Sequence, residues 1–176
     1  MKRLRIAGLA AALLAAASAA SAGIVLEGVY WQIAEPRPGR VPVWRDVREL
    51  EWTPPRLGRL RARLVLRNSG TSPEEGLLIR YSLAARLSPS SAPATDANWA
   101  IPFSVDERRV AEVKPGAVVE VPLEIGVVLR PYLRSLARAN WRPDRLRVRA
   151  MLEPRYGSKD IQTVEGLVDV KTGAAK

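Results

Sequence analysis

The chain has 176 residues, 28 lysines and arginines against 18 aspartates and glutamates, a formal net charge of +10 at pH 7, and neither histidine nor cysteine. Without those two residue types there is no Ser-His or Cys-His nucleophile, no imidazole or thiolate metal site and no disulfide, which removes most catalytic mechanisms that operate near neutral pH. Carboxylate pairs, a lysine or a tyrosine remain as chemistry, but no spacing singles one out, so no catalytic, cofactor-binding or metal residue is assigned and a non-enzymatic protein is expected.

Lys2, Arg3 and Arg5 form a positive start, residues 6–17 an uncharged stretch rich in Ala and Leu, and Ala20, Ser21 and Ala22 a small-residue cleavage motif before Gly23. This order predicts a secretory signal peptide over 1–22 and a periplasmic or secreted location for the remainder. An uncleaved anchor is the alternative, because residues 6–26 carry no charge and about 20 apolar residues span a bilayer. The turn to small and polar residues from Ser18 favours cleavage, after which no integral membrane span is expected. Residues 23–176 then form one domain with a short disordered tail at about 171–176. A chain of that size buries about two thirds of its unfolded surface and needs no disulfide. In this part lysine occurs only as Lys114, Lys159, Lys171 and Lys176, so arginine carries nearly all the positive charge. Two origins fit that bias: a genome favouring Arg, Ala, Pro and Gly codons, or a polyanionic partner.

Residues 24–33 read as a first strand with Tyr30 and Trp31 near its end. Pro36, Pro38 and Pro42 punctuate a loop, and residues 43–52 give a second extended stretch before Pro54 and Pro55. Over 57–67 the alternation is clean: Leu60, Ala62, Leu64 and Leu66 point one way, Arg59, Arg61, Arg63 and Arg67 the other, as in a strand with one face on a core and one in water. Asn68, Ser69, Gly70, Thr71, Ser72 and Pro73 are dense turn chemistry. Residues 76–87 follow, with Ile79, Tyr81, Leu83, Ala85 and Leu87 on one face, and 88–98 is a low-complexity loop expected to be mobile. Residues 101–105 and 108–113 are read as two short strands. Lys114, Pro115 and Gly116 turn the chain into 118–125, where Val119, Val121, Leu123 and Ile125 oppose Val118, Glu120, Pro122 and Glu124.

One helix is predicted, over 131–140. Arg130 precedes a proline and resists the α region, Pro131 suits a first turn, and Asn140 with Pro143 ends it. Its expected buried side is Leu133, Leu136 and Ala137, laid across one open end of the molecule, with Arg134 and Arg138 outward. Residues 145–152 alternate again, Leu146, Val148, Ala150 and Leu152 against Arg145, Arg147, Arg149 and Met151, and 161–170 is the last strand. Eight or nine short strands separated by turns indicate an all-β antiparallel sandwich with one short inserted helix.

The run of strand, Asn68-Ser69-Gly70, strand, Lys114-Pro115-Gly116, an alternating Val-Glu-Val-Pro-Leu-Glu-Ile, and the strand from Leu146 to Glu153 resembles bacterial immunoglobulin-like modules of the cell-adhesion-related (CARDB-like) type over residues 57–170. The inserted helix departs from that pattern, as does Tyr156-Gly157-Ser158-Lys159, which stands where such domains carry an acidic, Asn-rich approach to the last strand. The resemblance implies an immunoglobulin-like sandwich with a structural or adhesive role, and as partner another envelope or surface protein.

Three surfaces are candidates for contact. If the strand order follows an immunoglobulin-like sheet, Arg59, Arg61, Arg63 and Arg67 face Glu120 and Glu124, and Arg145, Arg147 and Arg149 face Glu165 and Asp169, a salt-bridged solvent face in which each pair contributes roughly 0.2 to 1 kcal/mol. Arg130, Arg134, Arg138 and Arg142 recur every fourth residue with no acid between Glu124 and Asp144, and like charges at that spacing weaken a helix. They point to an anionic partner such as lipopolysaccharide, anionic lipid or nucleic acid. Against this stands the plain attraction of Arg138 and Arg142 to a helix C-terminus and the cover their stems give apolar surface. Trp99, Trp141 and Tyr156 are candidates for stacking on a sugar ring, or alternatively lids on the core. Asp96-Ala97-Asn98 has a faint calcium-loop look without the remaining ligands. A carboxylate-based hydrolase of envelope polysaccharide needs two carboxyl groups about 5 to 10 Å apart in one cleft.

Overall fold

A computed structural model of the chain describes residues 23–35, 39, 41–51, 60–90, 99–154 and 161–171. In these residues the chain runs through β1 (Ile24–Glu35), β2 (Val43–Val47), β3 (Glu49–Glu51), β4 (Leu60–Asn68), β5 (Glu74–Pro89), β6 (Ser104–Val113), β7 (Val118–Leu123), α1 (Gly126–Arg138), β8 (Trp141–Leu152) and β9 (Thr163–Lys171). Alternation drives the two-layer arrangement. Leu60, Ala62, Leu64 and Leu66 of β4 and Leu146, Val148 and Ala150 of β8 are buried in one shared core, while the intervening arginines face out. The four-stranded sheet has the order β2-β1-β4-β7 and the five-stranded sheet the order β3-β9-β8-β5-β6, which makes the protein an all-β sandwich with a single short helix among the described residues. β7 lies against β4, and β9 against β8, the neighbours expected if the strand order follows an immunoglobulin-like sheet.

Two strand assignments need correction. The stretch 43–52 is not one strand: β2 pairs with β1 in one sheet, the chain bends at Arg48, and β3 pairs with β9 in the other, in parallel, the exception to an otherwise antiparallel set of pairings. Leu50, buried in the core, anchors the crossing. Conversely, the strands expected at 101–105 and 108–113 are one element. β6 is paired with β5 from Ser104 opposite Leu83 to Val113 opposite Glu74, and as an edge strand it buries only Val110 and Val113, too few to set an alternating pattern.

The helix begins five residues before the predicted start. Ile125, Leu129 and Leu133, spaced by four, are all buried, and Leu129 N–H bonds to the Ile125 carbonyl at 3.0 Å. That apolar stripe outweighs the reluctance of Arg130 to be helical before proline. Pro131 sits inside α1 on its exposed side, where it lacks the N–H that would bond back to the Val127 carbonyl. The helical phase set by this stripe leaves Leu136 half-buried and Ala137 exposed, contrary to the expected buried position of Ala137. Asn140, at φ 61, takes the left-handed conformation that ends the helix. Gly126 lies against the Leu60 carbonyl, and the Tyr132 ring stacks on Phe103 with centroids 3.8 Å apart. α1 therefore closes the end of the sandwich where β4 and β6 begin and β7 finishes.

The signal peptide expected over 1–22, the loop residues 91–98 with Asp96 and Asn98, Tyr156, and residues 172–176 of the expected tail lie outside the described residues; Lys171, the first residue of that tail, belongs to β9. Among the described residues, no helix is long and apolar enough to cross a membrane.

Candidate functional site

The helical repeat puts Val127, Arg130, Pro131 and Arg134 on one flank of α1, at spacings of three and four. Facing that flank, the outer surface of the four-stranded sheet contributes Trp44 from β2, Arg61 from β4 and Pro122 from β7, with Glu124 at the junction. Together they line an open groove of about 620 Å³ whose walls mix guanidinium groups with proline, valine and indole surface.

Arg61 is held in place from two sides. Its Nε donates to Gln32 Oε1 at 2.8 Å, Gln32 Nε2 in turn donates to Asp46 Oδ1 at 2.7 Å, and the guanidinium lies 4.0 Å over the Trp44 ring. Partial burial pulls its pKa below the ordinary guanidinium value, an effect opposed by Glu120 and Glu124 and reinforced by Arg63. Arg61 stays charged, but incompletely solvated.

The strand arginines around it carry their own counter-charges. Arg63 pairs with Glu120 and with Asp46, Arg67 with Glu27, Arg145 with Asp169 and Arg149 with Glu165, while Arg147 stands 4.0 Å from Glu165. Arg63–Glu120, Arg145–Asp169 and Arg149–Glu165 are the cross-strand pairs expected of an immunoglobulin-like order, whereas Arg67 turns to Glu27 of β1, Arg63 also meets Asp46 of β2, and the expected pairing of Arg61 with Glu120 or Glu124 is not made. Among the described residues, Arg61 has no carboxylate within ion-pair distance, and the side chains of Arg134 and Arg138 have neither an ion pair nor a hydrogen bond.

Of the four arginines at fourfold spacing, Arg130 and Arg134 enter the groove and Arg138 stays exposed at the end of α1. Arg142 does not continue the row: the left-handed turn at Asn140 breaks the helical face, and Arg142 is buried on β8 with 6% exposure. Close by, Asp144, also buried, accepts from Arg86 Nε at 2.6 Å and from Ser88 Oγ at 2.8 Å.

The aromatic candidates lie elsewhere. Trp99 is half-buried, bridged to Arg86, and has the Arg147 guanidinium 4.4 Å over its ring; Trp141 is 41% exposed at the start of β8, opposite Pro89. Neither lines the groove. Trp44, which does, drew no attention in the sequence. Arg61 was one of an alternating row there, and only the order β2-β1-β4 brings the two together. Among the described residues there is no group of three His, Cys, Asp or Glu side chains placed to hold a metal ion. No protein-family model matches the chain, and no curated protein matches it.

Proposed function

We propose that this protein is an exported, non-enzymatic interaction module of the bacterial cell envelope, which binds another envelope or surface protein through the groove beneath α1. One observation carries this reading: the neighbouring arginines Arg63, Arg67, Arg145 and Arg149 are paired with acids of the sheets, whereas among the described residues Arg61 and Arg134 line a groove without an ion pair of their own. A self-contained structural domain gains nothing from that arrangement, and a binding surface does. The strand order supports the immunoglobulin-like part of this reading. With β2 and β3 set aside, the first, second and fifth strands form one sheet and the third, sixth and seventh the other. The fourth strand, β6, joins the third instead of the fifth, so the constant-domain arrangement is not followed in full.

The test is capture from envelope extracts by the exported protein, with cross-links mapped to their sites. A defined protein cross-linked at Trp44 or along α1 supports the reading, and a monodisperse domain that retains nothing under gentle conditions ends it. Intact mass of the exported chain checks processing, with Gly23 as the expected first residue. A second reading, a polyanion-binding surface centred on α1, is favoured by the exposed Arg138 beside Arg134. Lipopolysaccharide or nucleic acid binding that falls steeply with salt, and falls further in Arg134→Gln/Arg138→Gln than in Arg145→Gln/Arg149→Gln, would select it.

A further inference from the structure

Building on the interaction-module reading, we propose that the groove takes an extended segment of the partner protein carrying one acidic side chain beside apolar residues, its carboxylate received by Arg61 and Arg134. The groove's volume, about 620 Å³, lies within the range of sites that enclose a ligand of a few residues' size. Arg61 presents an oriented donor. With Nε committed to Gln32 and one face of the guanidinium to the Trp44 ring, its two terminal nitrogens remain as a planar pair, matched to the two oxygens of a carboxylate. Arg134 approaches from the helix wall.

Glu124 on the groove wall offers an acceptor that a peptide can use. A peptide brings backbone N–H groups beside its carboxylate, whereas a phosphate group or a polyphosphate chain brings acceptors only. The remaining wall is apolar and wet. Val127 is 80% exposed, and with Pro122 and Pro131 it offers surface that gains by covering with methyl and methylene groups. Neither proline donates an N–H, and Pro122 sits on β7, one of the two edge strands of its sheet. The segment therefore docks through its side chains and its backbone contact with Glu124 instead of adding a strand at that edge.

The experiment pans the exported protein against a displayed library of random heptapeptides and then titrates the selected peptides. Selected sequences should share an Asp or Glu next to apolar or proline residues. Arg134→Gln, whose side chain has no partner among the described residues and so leaves the fold alone, should weaken such a peptide by about tenfold or more. It should leave the same peptide with its acid replaced by the amide within about twofold. Arg61→Lys, which keeps the charge but loses the planar fork, should weaken it as well. Arg108→Gln on β6 serves as a charge-matched control and should change nothing. Inorganic phosphate and heparin should compete no better than sodium chloride at equal ionic strength. Selected peptides without an acid, no selected peptides at all, equal losses in Arg134→Gln and Arg108→Gln, or heparin held in an Arg134-dependent way would each overturn the proposal. If the envelope partner is still captured by Arg134→Gln, the carboxylate assignment falls while the module reading stands; if no partner is captured by the unaltered protein, the reading itself has failed.

Discussion

Trp31 of β1 donates its indole N–H to the carbonyl oxygen of Gly166 of β9, across the sandwich, at 2.9 Å. The bond satisfies the one polar atom of an otherwise buried ring, and it requires the two sheets to approach closely. A Cβ at residue 166 would stand 2.5 Å from the Val29 carbonyl oxygen. Gly166→Ala should therefore destabilise the domain by about 1 to 3 kcal/mol, the range for forcing extra volume into a packed interior. Urea unfolding measures it, and an unchanged midpoint would mean the sheets can slide apart at no cost.

Asn68, fully buried at the end of β4, is a second tie between sheets. Its Nδ2 donates to Ser72 O and to Val113 O, both at 2.8 Å, and its Oδ1 accepts from Gly70 N–H at 2.9 Å. Asn68→Ala should cost about 1 to 3 kcal/mol by leaving buried groups without partners. Asn68→Asp should cost more, since it turns a carboxylate toward two carbonyl oxygens. Thermal unfolding should rank the wild type above the alanine variant and the alanine above the aspartate.

Much of this fold could be read from the chain because β4, β7 and β8 each have one face in the core and one in water, which prints directly as alternation. β6 was misread as two strands because an edge strand has little core to alternate against. The division of 43–52 was hidden because β2 and β3 are both extended, and the bend at Arg48 changes sheet without changing residue type. The start of α1 was masked by a shared residue: Ile125 ends the alternating series Val119, Val121, Leu123 and also begins the helical series with Leu129 and Leu133. The groove was the least legible. Its helix flank could be seen in Arg130 and Arg134, but its other wall joins Trp44, Arg61 and Pro122 from three strands, and no linear spacing encodes a sheet order.

Two carboxylates should separate buried from exposed ion pairing. Asp144 has a side-chain exposure of 2% in its pair with Arg86, whereas Asp169 has 46% in its pair with Arg145. Asp144→Asn removes the buried carboxylate that accepts from Arg86 and Ser88 and should cost about 3 to 5 kcal/mol. Asp169→Asn should cost no more than about 1 kcal/mol. Chemical denaturation of the two variants side by side tests the difference, and equal costs would show that Asp144 is solvated in solution.

Tyr81 should give the domain a distinct alkaline limit. Its ring is in the core, and its hydroxyl donates to Asp106 Oδ2 at 3.2 Å. Burial first, and then the neighbouring Asp106 charge, push its pKa from 10.0 up to about 12. Because the folded value lies above the unfolded one, the unfolded chain releases the proton at lower pH. The stabilising contribution is then complete below about pH 10 and is lost as pH rises toward 12. The melting temperature of the wild type should accordingly fall more steeply over that interval than that of Tyr81→Phe, which has no proton to lose. The phenylalanine variant should itself be less stable at neutral pH by about 0.5 to 1.5 kcal/mol for the missing hydrogen bond. Phenolate absorbance supplies an independent readout: the wild type should show a late-ionising tyrosine that vanishes in Tyr81→Phe, while Tyr132, raised by burial alone, persists in both. Parallel melting profiles for the two proteins across pH 10 to 12 would place the Tyr81 hydroxyl in water instead of against Asp106.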